Sequence, residues 1–494
     1  MSTRPFDQIV KNVRVVRHNQ EPAQPLDIGI KAGKFVRIVP QIDPEQGERV
    51  FDAHGLLGFP GVIDSHMHVG IYTPVDQDAM SESKAAVLGG VTTCMTYFRT
   101  GQYYLNKGGP YADFYPELLA CSEGRYYADY CYHIAPISHS QIKEMELLVD
   151  RFGMTTFKIF MFYGGHGLHG RSDQQNQFLM IGPDEKYDTA HFEAIMRELA
   201  AIMKRRPELA EYLNLSLHCE WAELLTAYSK KIEQDNILKG LYAYSEARPP
   251  HSEALAIWNA AYLAHETGCR NITLLHLSSR KAVEAALLAQ QAFPDVNLYR
   301  EVTAGHLLID WDAPAGNLAK VNPPIRSRED VEYLWQAVLN HKIHSIVTDH
   351  ASCPLAMKLD PKDAANIWGA KSGFGGTEYL LSGIFSEGIK RGMSASHIAE
   401  LLCWNPARKF GLLDKGDIAP GYDADLALLD PNETFAVHAK DSPSNQGYSV
   451  FEGMELKGRI KSTFLRGNLV FDQGKFIGAP QGRYLKRPYG TLTH

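Results

Sequence analysis

Short apolar runs recur through the middle of the chain, separated by longer stretches in which apolar residues return every three or four positions. Eight such runs can be marked: GVIDSHMH (61–68), TTCMTYF (92–98), CYHIAPI (131–137), TTFKIFMFY (155–163), LNLSLHC (213–219), NITLLHLS (271–278), VNLYREV (296–302) and HSIVTDH (344–350). Runs of this length, apolar on both faces, are those of strands buried in a parallel sheet. Helical periodicity fills the intervals, for example over His191–Arg205 and Ser252–Glu266. Strands alternating with helices over roughly 350 residues predict an α/β fold, a (β/α)8 TIM-like barrel with insertions. The two ends read differently. IVKNVRVV and DIGIKAGKFVRIV near the start, and DADLALLD, GRIKSTFLRGNLVF and GKFIG after Gly421, alternate apolar and polar positions between turns. Neither end has enough strands to close a core alone, so both are expected to build one smaller β-sandwich domain. The expected division is 1–57 and 414–494 for that domain and its tail, and 58–413 for the barrel.

Composition narrows the class. The 494 residues are 45% hydrophobic and 22% charged, with a net charge of -7, which suits a globular protein and argues against a nucleic-acid partner. The start, MSTRPFDQIV, lacks an apolar signal core, and no run reaches membrane-spanning length, so a cytoplasmic protein without a membrane partner is expected. Seven cysteines without CxxC spacing read as reduced, mostly buried thiols.

The candidate chemistry sits where the runs end. His66 and His68 lie two apart and so project from one face of the first strand. His218, His276 and Asp349 each close a later run, at the end of a barrel strand where active sites are built. Lys158 lies inside TTFKIFMFY among Phe157, Ile159 and Phe160. A bare ammonium there is costly. Either it pairs with a buried acid, or the neutral amine adds carbon dioxide and becomes an anionic carbamate able to bridge two cations. Two polar stretches, 99–115 and 164–186, follow the second and fourth runs on the same side and are expected to form lids or substrate loops.

Taken together, these features resemble the cyclic amidohydrolases of the amidohydrolase superfamily, the group of hydantoinases (dihydropyrimidinases), allantoinases and dihydroorotases. The resemblance rests on GFPGVIDSHMH, FKIFMFY, the histidines of the fifth and sixth runs, KVNPPIRS, VTDHAS, and NPARKFGL with GYDADLALLD, and covers nearly the whole chain. It implies two divalent metal ions, with zinc as the expected element. His66, His68 and Asp349 would hold one, His218 and His276 the other, and N6-carboxylated Lys158 would be shared. It further implies attack by a metal-bridging hydroxide on a cyclic amide, most simply a hydantoin or dihydropyrimidine, with Asp349 as proton shuttle. Tyr163 would donate to the oxyanion, and Asn322 and Gly375 of SGFGG (372–376) would contact the substrate. A homotetramer is implied in the same way.

Departures bear on the substrate. Dihydroorotases extend the first motif to HxHxR, whereas Gly70 stands here, which disfavours an acidic ring. Arg99 and Arg171 read first as solvated loop charges, with contact to a substrate anion as the alternative that keeps an acidic ring open; His166 and His169 read as surface residues, with extra metal ligands as the alternative, and His306 and His350 as packing behind the site. An allantoinase-like or other cyclic-imide substrate is the alternative. Two further classes stay open: a dihydropyrimidinase-related assembly protein that has lost its ligands, and a one-metal deaminase.

Overall fold

The computed structural model describes residues 4–164, 166–167, 170–171 and 175–490. Its centre is a ring of eight parallel strands: β1 (Val62–Met67), β2 (Val91–Phe98), β3 (Asp129–Ile134), β4 (Thr156–Phe160), β5 (Asn214–His218), β6 (Asn271–Leu274), β7 (Asn297–Thr303) and β8 (Ser345–Val347). Each of the eight apolar runs supplies one of them. The helices predicted over 191–205 and 252–266 are present as Thr189–Arg205 and Pro250–Thr267.

Strand order around the sheet follows chain order, as short right-handed β-helix-β connections dictate. A parallel bridge between Met67 and His350 closes the ring. Buried Asp64 on β1 secures that seam, accepting from the Thr348 hydroxyl at 2.5 Å and from the Thr377 hydroxyl at 2.9 Å. Such a carboxylate is tolerated in the core because hydrogen bonds offset its lost hydration.

The two chain ends do meet. Leu57–Pro60 pairs antiparallel with Leu426–Leu429, joining the N-terminal strands Phe6–Arg17, Gln20–Lys31 and Lys34–Val39 to the C-terminal strands Leu426–Ala436, Glu455–Leu465 and Asn468–Asp472. With Gly47–Asp52 and Lys475–Phe476 these seven build one nine-stranded sheet with its own core, including Val13, Ile28, Phe35, Leu426 and Phe464. This domain is tied to the barrel by buried charge. Lys415 Nζ lies 3.0 Å from Asp129 of β3, 3.1 Å from Asp423 and 2.6 Å from Asp425.

Beyond the sheet, the chain returns to the barrel, where Tyr130 of β3 forms a parallel bridge with Tyr484. Buried Arg487 there donates to the Thr156 hydroxyl and the Tyr132 carbonyl, both at 2.7 Å. None of the seven cysteines forms a disulfide, and all but Cys121 are buried. Among the described residues no helix is long and apolar enough to cross a membrane.

Candidate active site

At the C-terminal mouth of the barrel the six candidate ligands converge. β1 carries His66 and ends beside His68, β4 carries Lys158, β5 ends at His218, and His276 and Asp349 follow β6 and β8. His66 Nε2 is 2.5 Å from Lys158 Nζ and 2.9 Å from Asp349 Oδ1. His68 Nε2 is 3.1 Å from each of the same two atoms. The His218 and His276 rings meet edge-on with centroids 4.3 Å apart, and His276 lies 5.3 Å from His66.

His276 and Asp349 are held at φ of 37° and 56°. Left-handed backbone is costly away from glycine, and its recurrence at two strand ends shows a backbone bent to aim those side chains inward.

Behind these groups stand partners that orient them. Glu301 Oε1 binds His66 Nδ1 at 2.7 Å, the Tyr104 hydroxyl binds His68 Nδ1 at 2.9 Å, and Glu220 Oε2 binds His218 Nε2 at 2.6 Å. Each contact settles which ring nitrogen faces the centre. For His66 and His68 it is Nε2. His218 and His276 each keep a buried Nδ1 without a partner among the described residues. Glu220 is held in turn by Arg248, at 2.9 Å and 2.5 Å.

Burial sets the protonation of the cluster. It pushes His218 down to about 4 despite Glu220, and, reinforced by the Lys158 charge, pushes His68 down to about 3. Burial would raise Asp349, yet His66 and His68 outweigh it and hold the carboxylate well below its usual range. Lys158, with the Tyr97 and Phe160 rings 4.7 Å and 5.0 Å from its nitrogen, is pulled down to about 8 by burial.

Neutral imidazoles at His68, His218 and His276, an ionised carboxylate and a readily deprotonated amine are states that metal ligation requires. At His66, by contrast, burial is outweighed by the Asp349 and Glu301 charges, which raise the imidazole above its ordinary value. His66, His68 and Asp349 present donor atoms within 4.8 Å of one another, and the unpartnered His218 and His276 nitrogens offer further ones. The donor set fits divalent cations.

The remaining sequence-predicted residues have contacts of their own. Tyr163 is buried, its ring stacked on Phe160 at 4.9 Å. Asn322 Oδ1 accepts from the Tyr244 hydroxyl at 2.6 Å and faces the Ser372 hydroxyl at 3.5 Å. Gly375 donates its N–H to Gln446 at 2.7 Å, and a Cβ there would stand 2.8 Å from His350. His350 binds Glu82 at 2.7 Å, and His306 lies between Thr303 at 2.7 Å and the Pro323 carbonyl at 3.1 Å. His166 and Arg171 belong to a short antiparallel ribbon, and His169 lies outside the described residues.

Arg99 departs from expectation. It is only 1% exposed, because its loop turns inward. The Gln102 N–H donates to the Phe178 carbonyl at 2.9 Å, joining the loops after β2 and β4 and laying the Phe178 ring over the guanidinium at 4.5 Å. Gly101 permits this approach. It sits at φ 96°, and a Cβ there would stand 2.4 Å from the same carbonyl.

Sequence reasoning also passed over Glu220, Glu301, Tyr104 and two buried lysines. Glu220 and Glu301 were visible as acids at the ends of apolar runs. The lysines were not, since Lys320 and Lys358 lie in polar connecting sequence. Lys358 donates to the carbonyls of Lys320, Lys371 and Gly373 at 2.6–3.0 Å, and Lys320 to those of Ile367 and Ala370 at 2.8 Å and 2.7 Å. They clamp the segment bearing Ser372 against that bearing Asn322.

This geometry agrees with the similarities to known proteins. A sequence model of the amidohydrolase family matches residues 208–470. The allantoinase of Rubrobacter xylanophilus is 31% identical over 489 residues, covering 97% of this chain and 98% of its own. The chain belongs to the amidohydrolase family. Among solved structures, a D-hydantoinase superposes with a TM-score of 0.83 at 26% identity, covering 98% of this chain and 100% of its own. L-hydantoinase (dihydropyrimidinase) from Arthrobacter aurescens gives 0.82 at 26%, covering 96% and 98%.

Proposed function

We propose that this amidohydrolase opens the amide bond of a hydantoin-type ring, with allantoin, a hydantoin carrying a ureido substituent, as its foremost substrate. The observation that carries the reading is the convergence of Lys158 Nζ, the Nε2 atoms of His66 and His68 and Asp349 Oδ1 at the barrel mouth, beside the unpartnered nitrogens of His218 and His276. Full-length similarity to allantoinases supports the choice of ring. Retention of all six ligand candidates favours an enzyme over an assembly protein, and a lysine at the β4 position favours a two-metal hydrolase over a one-metal deaminase.

His66, His68 and Asp349 would hold one divalent cation, taken as zinc, and His218 and His276 the other. Lys158 would join them after its neutral amine takes up carbon dioxide. When bound, the pair of cations supplies a nucleophilic oxygen at neutral pH and polarises the amide carbonyl. The chain's own groups do the rest. Asp349, ionised by its histidine neighbours, takes the proton from the attacking oxygen and returns it to the departing ring nitrogen. Burial raises the Tyr163 hydroxyl above its ordinary value, against the opposing effect of Arg99, so it stays protonated and donates to the oxygen on which charge develops. Asn322 and Gly375, the latter in the clamped segment that also bears Ser372, would orient the ring.

A turnover screen of allantoin, hydantoin, dihydrouracil, dihydroorotate and succinimide with the zinc-loaded protein tests this reading. Allantoin is expected to give the highest kcat/KM. A protein that binds two equivalents of metal yet opens no ring would overturn the proposal, and preference for dihydrouracil would move the substrate to the dihydropyrimidines.

A further inference from the structure

Above the ligand cluster stands a buried cation with no counter-ion among the described residues. Arg99 leaves β2 and lies beneath Phe178, with Cζ 5.7 Å from the Tyr163 ring and 5.8 Å from the Tyr104 ring. Its Nη1 donates to the Thr100 carbonyl at 2.7 Å. Nε and Nη2 make no well-aligned hydrogen bond among the described residues, the Tyr163 hydroxyl standing near enough only to interact with the charge, and no carboxylate there lies within ion-pair distance. These two donors share one edge of the guanidinium, the fork that receives a planar oxygen acceptor. The Tyr97 hydroxyl is also buried and unpartnered. Tyr97 packs against His68 at 5.2 Å and Tyr104 at 5.9 Å, and the Tyr104 hydroxyl reaches His68. The fork therefore lies one aromatic layer from the candidate ligands, between the proposed oxyanion donor and a histidine's positioning tyrosine.

A desolvated guanidinium fork and an unbonded phenol cost stability unless something arrives to satisfy them. Aromatic rings alone recover only part of that cost. The required occupant is planar, offers oxygen, and enters with the ring, which describes a substituent on the substrate.

We propose that Arg99, with Tyr97, forms a subsite for a planar oxygen acceptor on the ring's substituent, either a ureido carbonyl or a carboxylate. Arg99 is thereby the residue that separates polar-substituted from unsubstituted or alkyl-substituted rings. The inference rests on the cyclic-amide reading above and names the substrate class of that same site.

The test compares allantoin, hydantoin-5-acetate, 5-propylhydantoin and unsubstituted hydantoin on the zinc-loaded wild type and on Arg99→Lys and Arg99→Met. Wild type should open at least one of the two polar-substituted rings with higher kcat/KM than 5-propylhydantoin, and which one identifies the acceptor. In Arg99→Met the ratio of kcat/KM for that ring to kcat/KM for hydantoin should fall by about 10- to 100-fold, the range of one charge-assisted pair, mainly through KM. Arg99→Lys, which keeps charge and loses the fork, should fall between. A uniform loss on all rings, or a wild type that prefers the propyl ring, overturns the subsite. The wild-type comparison stands even if the variants do not fold. Failure of the underlying reading is separate, since the wild type would then open none of the four rings.

Discussion

His218 Nε2 stands 2.6 Å from Oε2 of Glu220, two residues further along the chain, and this contact leaves the Nδ1 side of the ring to face His276 and the barrel mouth. In the proposed two-metal centre Glu220 would therefore be a positioning residue for the second cation. Glu220→Gln keeps the shape and loses the charge that fixes the imidazole. Affinity for the second equivalent of zinc should weaken about 10- to 100-fold in chelator competition. Unchanged affinity in a folded variant would remove this role.

Lys158 provides a test by pH. Only the neutral amine adds carbon dioxide, and burial brings the group down to about 8. Below that value the neutral fraction drops about tenfold per pH unit, so metal-stripped protein given zinc at constant dissolved carbon dioxide should regain activity roughly fiftyfold faster at pH 8 than at pH 6. Lys158→Ala should lose both activity and most metal. A pH-independent recovery would argue for an unmodified lysine.

Asp349→Asn removes the proposed proton carrier while approximating its shape. Turnover should drop by about 10²- to 10⁴-fold, with metal content measured on the same sample. A loss of only a few fold with full metal would assign proton transfer elsewhere.

Tyr163→Phe keeps the ring that stacks on Phe160 and deletes one donor. The expected cost is about 10- to 1000-fold in kcat. Unaltered kcat would leave Tyr163 a packing residue.

Far from the site, Lys415→Met removes the cation that Asp129, Asp423 and Asp425 share, leaving Asp129 to Arg466, Asp423 to Lys34, and Asp425 buried with no cation within ion-pair distance among the described residues. Urea denaturation should show a loss of roughly 3–5 kcal/mol. Burial disfavours the Lys415 charge, but the three carboxylates outweigh it and raise the group above the ordinary lysine value. Its stabilisation is thus fully present below that ordinary value and lost only as pH climbs through the raised one. A stable variant would show that the Lys415 charge is not what joins sheet and barrel.

Much of this architecture was legible along the chain because burial has a one-dimensional signature. The apolar runs mark all eight barrel strands, and the ends of β1, β5, β6 and β8 bring His66, His68, His218, His276 and Asp349 to one rim, with Lys158 reaching it from within β4. That follows from parallel strands sharing a direction, which any chain of such units must obey.

What pairs across the barrel was decided by the tertiary structure. Glu301 meets His66 from β7, Tyr104 reaches His68 from a loop, and Lys320 and Lys358 find carbonyls in segments up to 50 residues away. None of these pairings has a periodicity, because each depends on strand register and loop path. Arg99 shows the same limit most clearly. Its polar surroundings in sequence read as solvent, yet one hydrogen bond between Gln102 and Phe178 folds the loop inward and buries the charge. Local pattern determined which residues stand at the barrel mouth, while long-range closure decided how each is aimed and which charges water cannot reach.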